Sequence, residues 1–202
     1  MTDSGKNDPG TAREKMLAVA AGLFWMKGFN DTSVRDIAEA YGCKPANLYN
    51  FFPGKEAILH EVLVREMKDL VEPMLPLAAD EGGDPSAQLR AFIRQHLSVT
   101  LKAGRSTRIL FDVALEHLNP GHRLSIVAWR DAYDRVLRTI LERGKARGVF
   151  ADVDVKLAGF MIASMITRCR LWHRPEGAAG VEDLAEFIFR FILNGISAPA
   201  GG

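Results

Sequence analysis

Apolar residues recur at intervals of three and four along most of this chain, and no stretch alternates convincingly with period two. The first run carries Leu17, Ala20, Ala21, Phe24 and Trp25; Thr11 and Glu14 ahead of it have capping-box spacing, and Gly28 stops it. Thr32 or Ser33 caps a short second helix over about 34–41, with Asp36 in the first turn, where the helix dipole favours an anion. Gly42-Cys43-Lys44 reads as a tight turn, and Pro45 opens a third short helix reaching about Phe51, because a first helical position needs no N–H partner. A longer helix over about 55–74 ends at Pro73 and Pro76. After a Gly/Asp/Pro loop near 80–86, helical patterns resume at about 87–103, 106–118 and 120–147, the last with Trp129, Ala132, Tyr133, Val136, Leu137, Ile140 and Leu141 on one face. Gly148 breaks it; Asp152 or Asp154 caps an eighth helix running to about Trp172, and 181–196 is the ninth. The spacing therefore predicts an all-α chain of nine helices, with no internal repeat.

The most informative stretch is 32–52, a short helix, a glycine turn and a second short helix. Ile37, Ala38, Cys43 and Leu48 are the apolar positions that pack the pair together, with the small Ala38 where the helices cross. Such a unit projects its second helix outward, where it fits a DNA major groove about 12 Å wide. Asn47 and Asn50 can pair with base edges or phosphates, Lys44 and Lys55 can neutralise phosphates, and Tyr49 offers a hydroxyl and a flat ring. The competing reading is an ordinary solvated face on a helical hairpin: residues 11–55 hold six basic and four acidic side chains, a net of only +2.

Three blocks between Arg13 and Leu59 lift the motif above a bare pattern: Ala20-Ala-Gly-Leu-Phe, Lys27-Gly-Phe-Asn-Asp-Thr-Ser-Val-Arg-Asp-Ile-Ala, and Leu48-Tyr-Asn-Phe-Phe-Pro-Gly-Lys-Glu-Ala-Ile-Leu. This ordered set resembles the DNA-binding domain of TetR-type transcriptional regulators. The sequence departs from the family's habit at Lys44, where Ser or Thr often caps the recognition helix, and at Phe51, where His is common. The resemblance implies a nine-helix TetR-type fold with a terminal arm over 1–10, a DNA-binding domain over 11–56 (motif 33–52), and an effector-binding and dimerisation domain over 57–202. It also implies that Thr32, Ser33, Arg35, Tyr49 and Lys55 meet the phosphate backbone, while Lys44, Pro45, Ala46, Asn47 and Asn50 form the reading face.

The eighth helix is apolar nearly all round, and the ninth nearly so, which calls for cover on two sides. A two-fold dimer provides it through a four-helix bundle, the usual interface of the family, with Ala158, Gly159, Ile162, Ala163, Leu184, Phe187, Ile188 and Phe191 as the contact set. The remaining faces would line an effector pocket, with Phe92, His96, Leu110, Phe111, Trp129, Tyr133, Met161 and Met165 as candidates; plain core packing is the alternative for each. Arg168 and Trp172 lie four apart, with Arg170, His173 and Arg174 close by. This segment resembles the acyl-CoA-responsive branch of the family, in which an apolar pocket holds the acyl chain, arginines pair with CoA phosphates and Trp172 stacks on adenine. Arginines offsetting the dipole at a helix C-terminus is the other reading.

Composition narrows the remaining classes. At 202 residues and a net charge of +1, the chain as a whole gives no reason to expect nucleic acid, so that case rests on the local motif. Cys43 and Cys169 are far apart, with no zinc-type spacing, so no metal is expected. The polar first ten residues lack a signal-peptide core, and the longest apolar run, 157–166, is well short of the roughly 20 residues a membrane span needs. Neither a catalytic triad nor a phosphate-binding glycine loop is present. The expectation is a cytoplasmic, homodimeric, non-enzymatic regulator. It would bind double-stranded operator DNA and be released by a small hydrophobic or acyl-CoA effector, with no cofactor and no membrane partner. The alternative is a DNA-binding regulator without an effector.

Overall fold

Local start and stop signals account for most of the helix boundaries. The computed structural model describes residues 9–102, 114–174 and 180–196. The helices are α1 Pro9–Lys27, α2 Val34–Tyr41, α3 Pro45–Tyr49, α4 Lys55–Val71, α5 Leu75–Ala79, α6 Pro85–Thr100, α7 Pro120–Ala146, α8 Val155–Arg168 and α9 Val181–Ile196. Short 3-10 turns follow α4, precede α7 and follow α8. Among the described residues there is no β-strand, so the all-α expectation holds.

Several local readings change. α1 begins at Pro9, so Thr11 lies inside the helix and not at its cap. α4 ends at Val71; Pro73 sits in a 3-10 turn and Pro76 in the first turn of α5, a position where the missing N–H costs nothing. The helix expected over 106–118 falls mostly outside the described residues, of which Ala114–His117 form a 3-10 turn. Asp84, read as part of a loop, caps α6, which starts at Pro85, and α8 ends at Arg168 with a 3-10 turn over Cys169–Leu171; Asp154 caps α8 as read, and Gly148 follows α7 at φ +69°, a conformation that favours glycine.

The chain divides into two compact units, and α4 and α7 each contribute to both. The first comprises described residues up to 66 together with 114–126. Its core is Ala20, Phe24, Ile37, Ala38, Leu48, Phe52, Ile58, Leu59 and Leu63, all essentially inaccessible. Arg13 pairs with Glu61 and lies 4.8 Å over the Phe52 ring, tying α1 to α4.

The second unit comprises 67–102, 127–174 and 180–196. α6 is central to it and packs along α9 and α8. Arg90 and Arg94 reach Glu186 and Glu182 at 3.3 and 3.5 Å, so α6 and α9 run antiparallel. On another side, Gln88 accepts from Arg143 and His96 bonds Tyr133, each at 2.8 Å, which makes α6 and α7 antiparallel too. Arg143 also donates to the backbone carbonyls of Leu77, Ala78 and Asp80, holding the α5 end of the unit.

Candidate nucleic-acid interface and effector region

The helix-turn-helix is held by a complete set of local devices. Ser33 is the cap of α2: its hydroxyl accepts from the Asp36 N–H at 3.0 Å, and its own N–H donates to the Asp36 carboxylate at 2.7 Å. The same contacts hold the Asp36 carboxyl below its ordinary pKa. Gly42 ends α2 at φ +83°, and its N–H bonds back to Ala38 and Glu39. Ile37, Ala38 and Leu48 are fully buried between the helices, and Cys43 is half-buried, as the packing pattern required. The cap of α3 is Lys44, which makes no side-chain capping bond, so Pro45 alone sets the start of that helix.

With Leu48 turned inward, Lys44, Pro45, Ala46, Asn47, Tyr49 and Asn50 all stand exposed on α3 and its flanks. Arg35 is exposed on α2. Two of the expected phosphate-contact residues are differently placed. Thr32 is buried, and its hydroxyl donates to the Gly28 carbonyl at 2.7 Å, bracing the α1–α2 loop. Lys55 donates to the Phe29 carbonyl at 2.7 Å and lies 4.2 Å over the Phe29 ring, so part of its charge is committed to that same loop.

The first unit also contains a cluster that sequence reasoning missed. His60 and His122 stack with ring centroids 3.8 Å apart, His60 bonds Ser125 at 2.6 Å, and Glu56 accepts from the Asn119 backbone N–H and pairs with His122. Burial pushes the Glu56 carboxyl upward, but these bonds outweigh it and leave the pKa below its usual value. Burial and the neighbouring His122 lower the His60 pKa. Partners more than 60 positions apart leave no signal in spacing.

In the second unit the predicted effector residues separate into two groups. His96 and Tyr133 are buried and bonded to each other, and Phe92 packs on Tyr133 at 5.0 Å between ring centroids. Burial lowers the His96 pKa to about 3 and raises that of Tyr133 well above 10, so both are neutral at working pH. Trp129 and Met165 are half-buried. Met161 (67% exposed) and Trp172 (60%) face outward, as does Arg168, while Arg170 is half-buried. Phe111 and Leu110 lie outside the described residues. A groove of about 690 Å³ between the end of α7 and the start of α8 is lined by Arg138, Glu142, Lys145, Asp154 and Lys156, among others, and includes none of the predicted effector residues.

The predicted dimer set also divides. Ile162, Leu184 and Ile188 are buried within the subunit, and Ala158, Gly159 and Ala163 are half-buried. Phe187 and Phe191 are exposed one turn apart on α9, and Leu157, Phe160 and Met161 are exposed at helical spacing on α8, an outward stripe on each helix. Among the described residues no helix is long and apolar enough to cross a membrane, and no His/Cys/Asp/Glu cluster is arranged to hold a metal.

Two family models match. Residues 16–62 fit the bacterial regulatory proteins, tetR family, and residues 82–196 fit the tetracyclin repressor-like C-terminal domain. The transcriptional repressor KstR2 of Rhodococcus jostii (strain RHA1) is 30% identical over 93% of this chain and 92% of its own. Among solved structures, the TetR family regulator PfmR from Thermus thermophilus superimposes with a TM-score of 0.75 at 34% identity, covering 92% of this chain and 99% of that one. AibR, solved in complex with isovaleryl coenzyme A and operator DNA, shares the fold with a TM-score of 0.78 at 24% identity, covering 89% and 97%. The capped helix-turn-helix, the all-helical second unit and these matches together place the chain in the TetR family of transcriptional regulators.

Proposed function

We propose that this chain is a homodimeric repressor that binds a near-palindromic operator through two copies of α3 and lets go when an apolar effector, acyl-CoA thioesters included, occupies the second unit. The observation that carries the DNA-binding half is the row of exposed polar side chains on α3, anchored by the buried Leu48 and by the capping box at Ser33. Asn47 and Asn50 read base edges, while Lys44, Arg35, Tyr49 and Lys55 meet phosphates. The relative named a repressor, similar over nearly its full length, supports the direction of regulation.

The dimer reading rests on the outward apolar stripes of α8 and α9, where Leu157, Phe160, Met161, Phe187 and Phe191 stand open to solvent. Phe187 and Phe191 remain from the contact set, now joined by Leu157, Phe160 and Met161. The effector reading rests on the exposed Arg168 and Trp172 and the half-buried Arg170 at the C-terminal end of α8 and the turn after it, two cations and a ring that match the polyanionic, adenine-bearing head of an acyl-CoA. The fold itself accommodates both ligands in AibR. A ligand releases DNA only by favouring a subunit arrangement in which the two α3 helices no longer match the half-site spacing, roughly 34–36 Å or a multiple.

The test is titration of acyl-CoAs of graded chain length against the operator complex, followed by fluorescence anisotropy, with Arg168→Ala and Trp172→Ala in parallel. Release by wild type, lost in both variants while operator affinity is kept, is the expected result. Equal release by unrelated hydrophobic compounds, with Arg168→Ala responding like wild type, would replace the acyl-CoA reading with a generic apolar effector.

A further inference from the structure

Buried polar atoms in a folded protein almost always have partners, so an orphan marks a place where a water, an ion or a ligand can supply one. Among the described residues of the second unit, three side-chain atoms are buried without a partner: His96 Nε2, Thr100 Oγ1 and Arg170 Nε. Two of them are neighbours. His96 and Thr100 are one turn apart on α6, which sets their β-carbons on one face about 5–6 Å apart. Arg170 belongs to the turn Cys169–Leu171, which packs against α6.

The chemistry of the three atoms agrees. The phenol of Tyr133 keeps its proton, and its hydrogen bond is to His96 Nδ1 at 2.8 Å. The arrangement that satisfies both groups has the phenol O–H donating to Nδ1, which puts the imidazole proton on Nε2. The reverse tautomer would leave the phenol proton with no acceptor. His96 Nε2 is therefore a donor, Arg170 Nε can only donate, and the Thr100 hydroxyl can donate as well. Two neighbouring donors without an acceptor, His96 Nε2 and Thr100 Oγ1, call for a ligand oxygen. His96 is neutral and wholly buried, so it offers a buried anion no charge to pair with, and the oxygen it donates to belongs to an uncharged group. The α6–α7 register, with 88 opposite 143 and 96 opposite 133, brings the half-buried Trp129 level with Thr100.

We propose that the α6 seam at His96 and Thr100 is the subsite for an uncharged carbonyl oxygen, a ketone or a thioester, on an otherwise apolar effector, with Tyr133 as the residue that positions the His96 proton. This rests on the reading that the second unit takes an apolar effector, and adds which polar group is recognised and by what. Placing a carbonyl there satisfies donors that are otherwise buried unpaired, so an alkane of the same length binds less well by about one order of magnitude.

Five probes separate the possibilities: 2-undecanone against undecane and against undecanoate, and dodecanoyl-CoA against its dodecyl-CoA thioether, which lacks the carbonyl. Binding is read by tryptophan fluorescence, and the carbonyl environment by the 13C shift of labelled 2-undecanone. Thr100→Val and His96→Leu keep the volume and remove one donor each; thermal melts verify that both are folded. Wild type should prefer each carbonyl compound over its reduced counterpart by roughly 10-fold and shift the labelled carbonyl downfield, and both variants should lose preference and shift. A ketone preference without a thioester preference places the free ketone as the source and leaves the subsite intact. Equal binding of ketone and alkane by wild type, a preference that survives in both variants, or tighter binding of undecanoate than of 2-undecanone would each overturn the subsite while leaving an apolar effector in place. Binding of none of the probes would overturn the effector reading itself, and the subsite with it.

Discussion

The two units use their functional residues in opposite ways. In the first, the side chains proposed to meet DNA stand outward on α2 and α3, and the scaffold beneath them is set by neighbours in sequence: Ser33 with Asp36, Gly42 with Ala38, Pro45 at the start of α3. In the second, the residues of most chemical interest point inward. Their environment comes from helices brought together over long separations, His96 with Tyr133 and Gln88 with Arg143. A reading surface can be assembled from local rules because solvent is its other half. A buried polar site cannot, because what its atoms lack depends on every helix packed around it.

Disturbing the outward stripes of the second unit should have the largest effect. Phe187→Glu with Phe191→Glu places two charges on a face proposed to be self-complementary; the expected outcome is a particle of one chain's mass by light scattering and at least roughly 100-fold weaker operator binding, since a single α3 contacts one half-site. An unchanged mass would move the dimer interface elsewhere.

Next is pH. His96 has a folded pKa of about 3 against an ordinary value of 6.5, so the unfolded chain binds its proton first as pH falls. The stability associated with neutral His96 is fully present above about pH 6.5 and drains away below it, by about 1.4 kcal/mol per pH unit, until the folded pKa is reached. Denaturant melts from about pH 7.5 to about pH 4 should show this slope, and His96→Leu should flatten it. His60, in the first unit, is shifted in the same direction and contributes to the same window, so His60→Gln should flatten the curve as well, by less.

A smaller effect tests packing in the second unit alone. A β-carbon on Gly144 would lie 2.0 Å from the Phe150 ring, so Gly144→Ala should cost about 1–3 kcal/mol by chemical denaturation. Operator affinity of the folded fraction should be unchanged; a selective loss of DNA binding would mean the first unit senses this packing.

The finest test separates scaffold from contact in the first unit. Ser33→Ala removes the cap and should cost about 1 kcal/mol of stability. Arg35→Ala should leave stability alone, weaken all DNA sequences alike and reduce the salt slope by about 1. Lys55→Ala should do both, because its ammonium is shared with the Phe29 carbonyl. If Lys55→Ala altered only DNA affinity, its bond to that loop would be incidental.

Reading the chain alone goes far in the first unit. Ile37, Ala38 and Leu48 are buried, and Asn47, Tyr49 and Asn50 exposed, where helical periodicity puts them, because an eight-residue helix against a five-residue one leaves few alternatives. It falls short at Thr32, whose hydroxyl is used inside, and at the His60–His122 stack. In the second unit an α8 apolar on all sides announces two covered faces without saying which residue belongs to which. Ile162 turns inward and Met161, beside it, outward, a division set by where α6 lies.

By itself, then, the sequence determined the all-α class, most of the helices, the α2 cap and the glycine breaks, and the family, because each follows from interactions within a few residues or from an ordered motif. Only the tertiary structure decided that His96 Nε2 and Thr100 Oγ1 are buried without partners, that Arg168 and Trp172 stand outside, and that Phe187 and Phe191 rather than Leu184 and Ile188 face solvent. Burial is a property of the assembled helices: a rotation of one helix by two residues, about 200°, exchanges its inner and outer faces without changing any local signal along the chain.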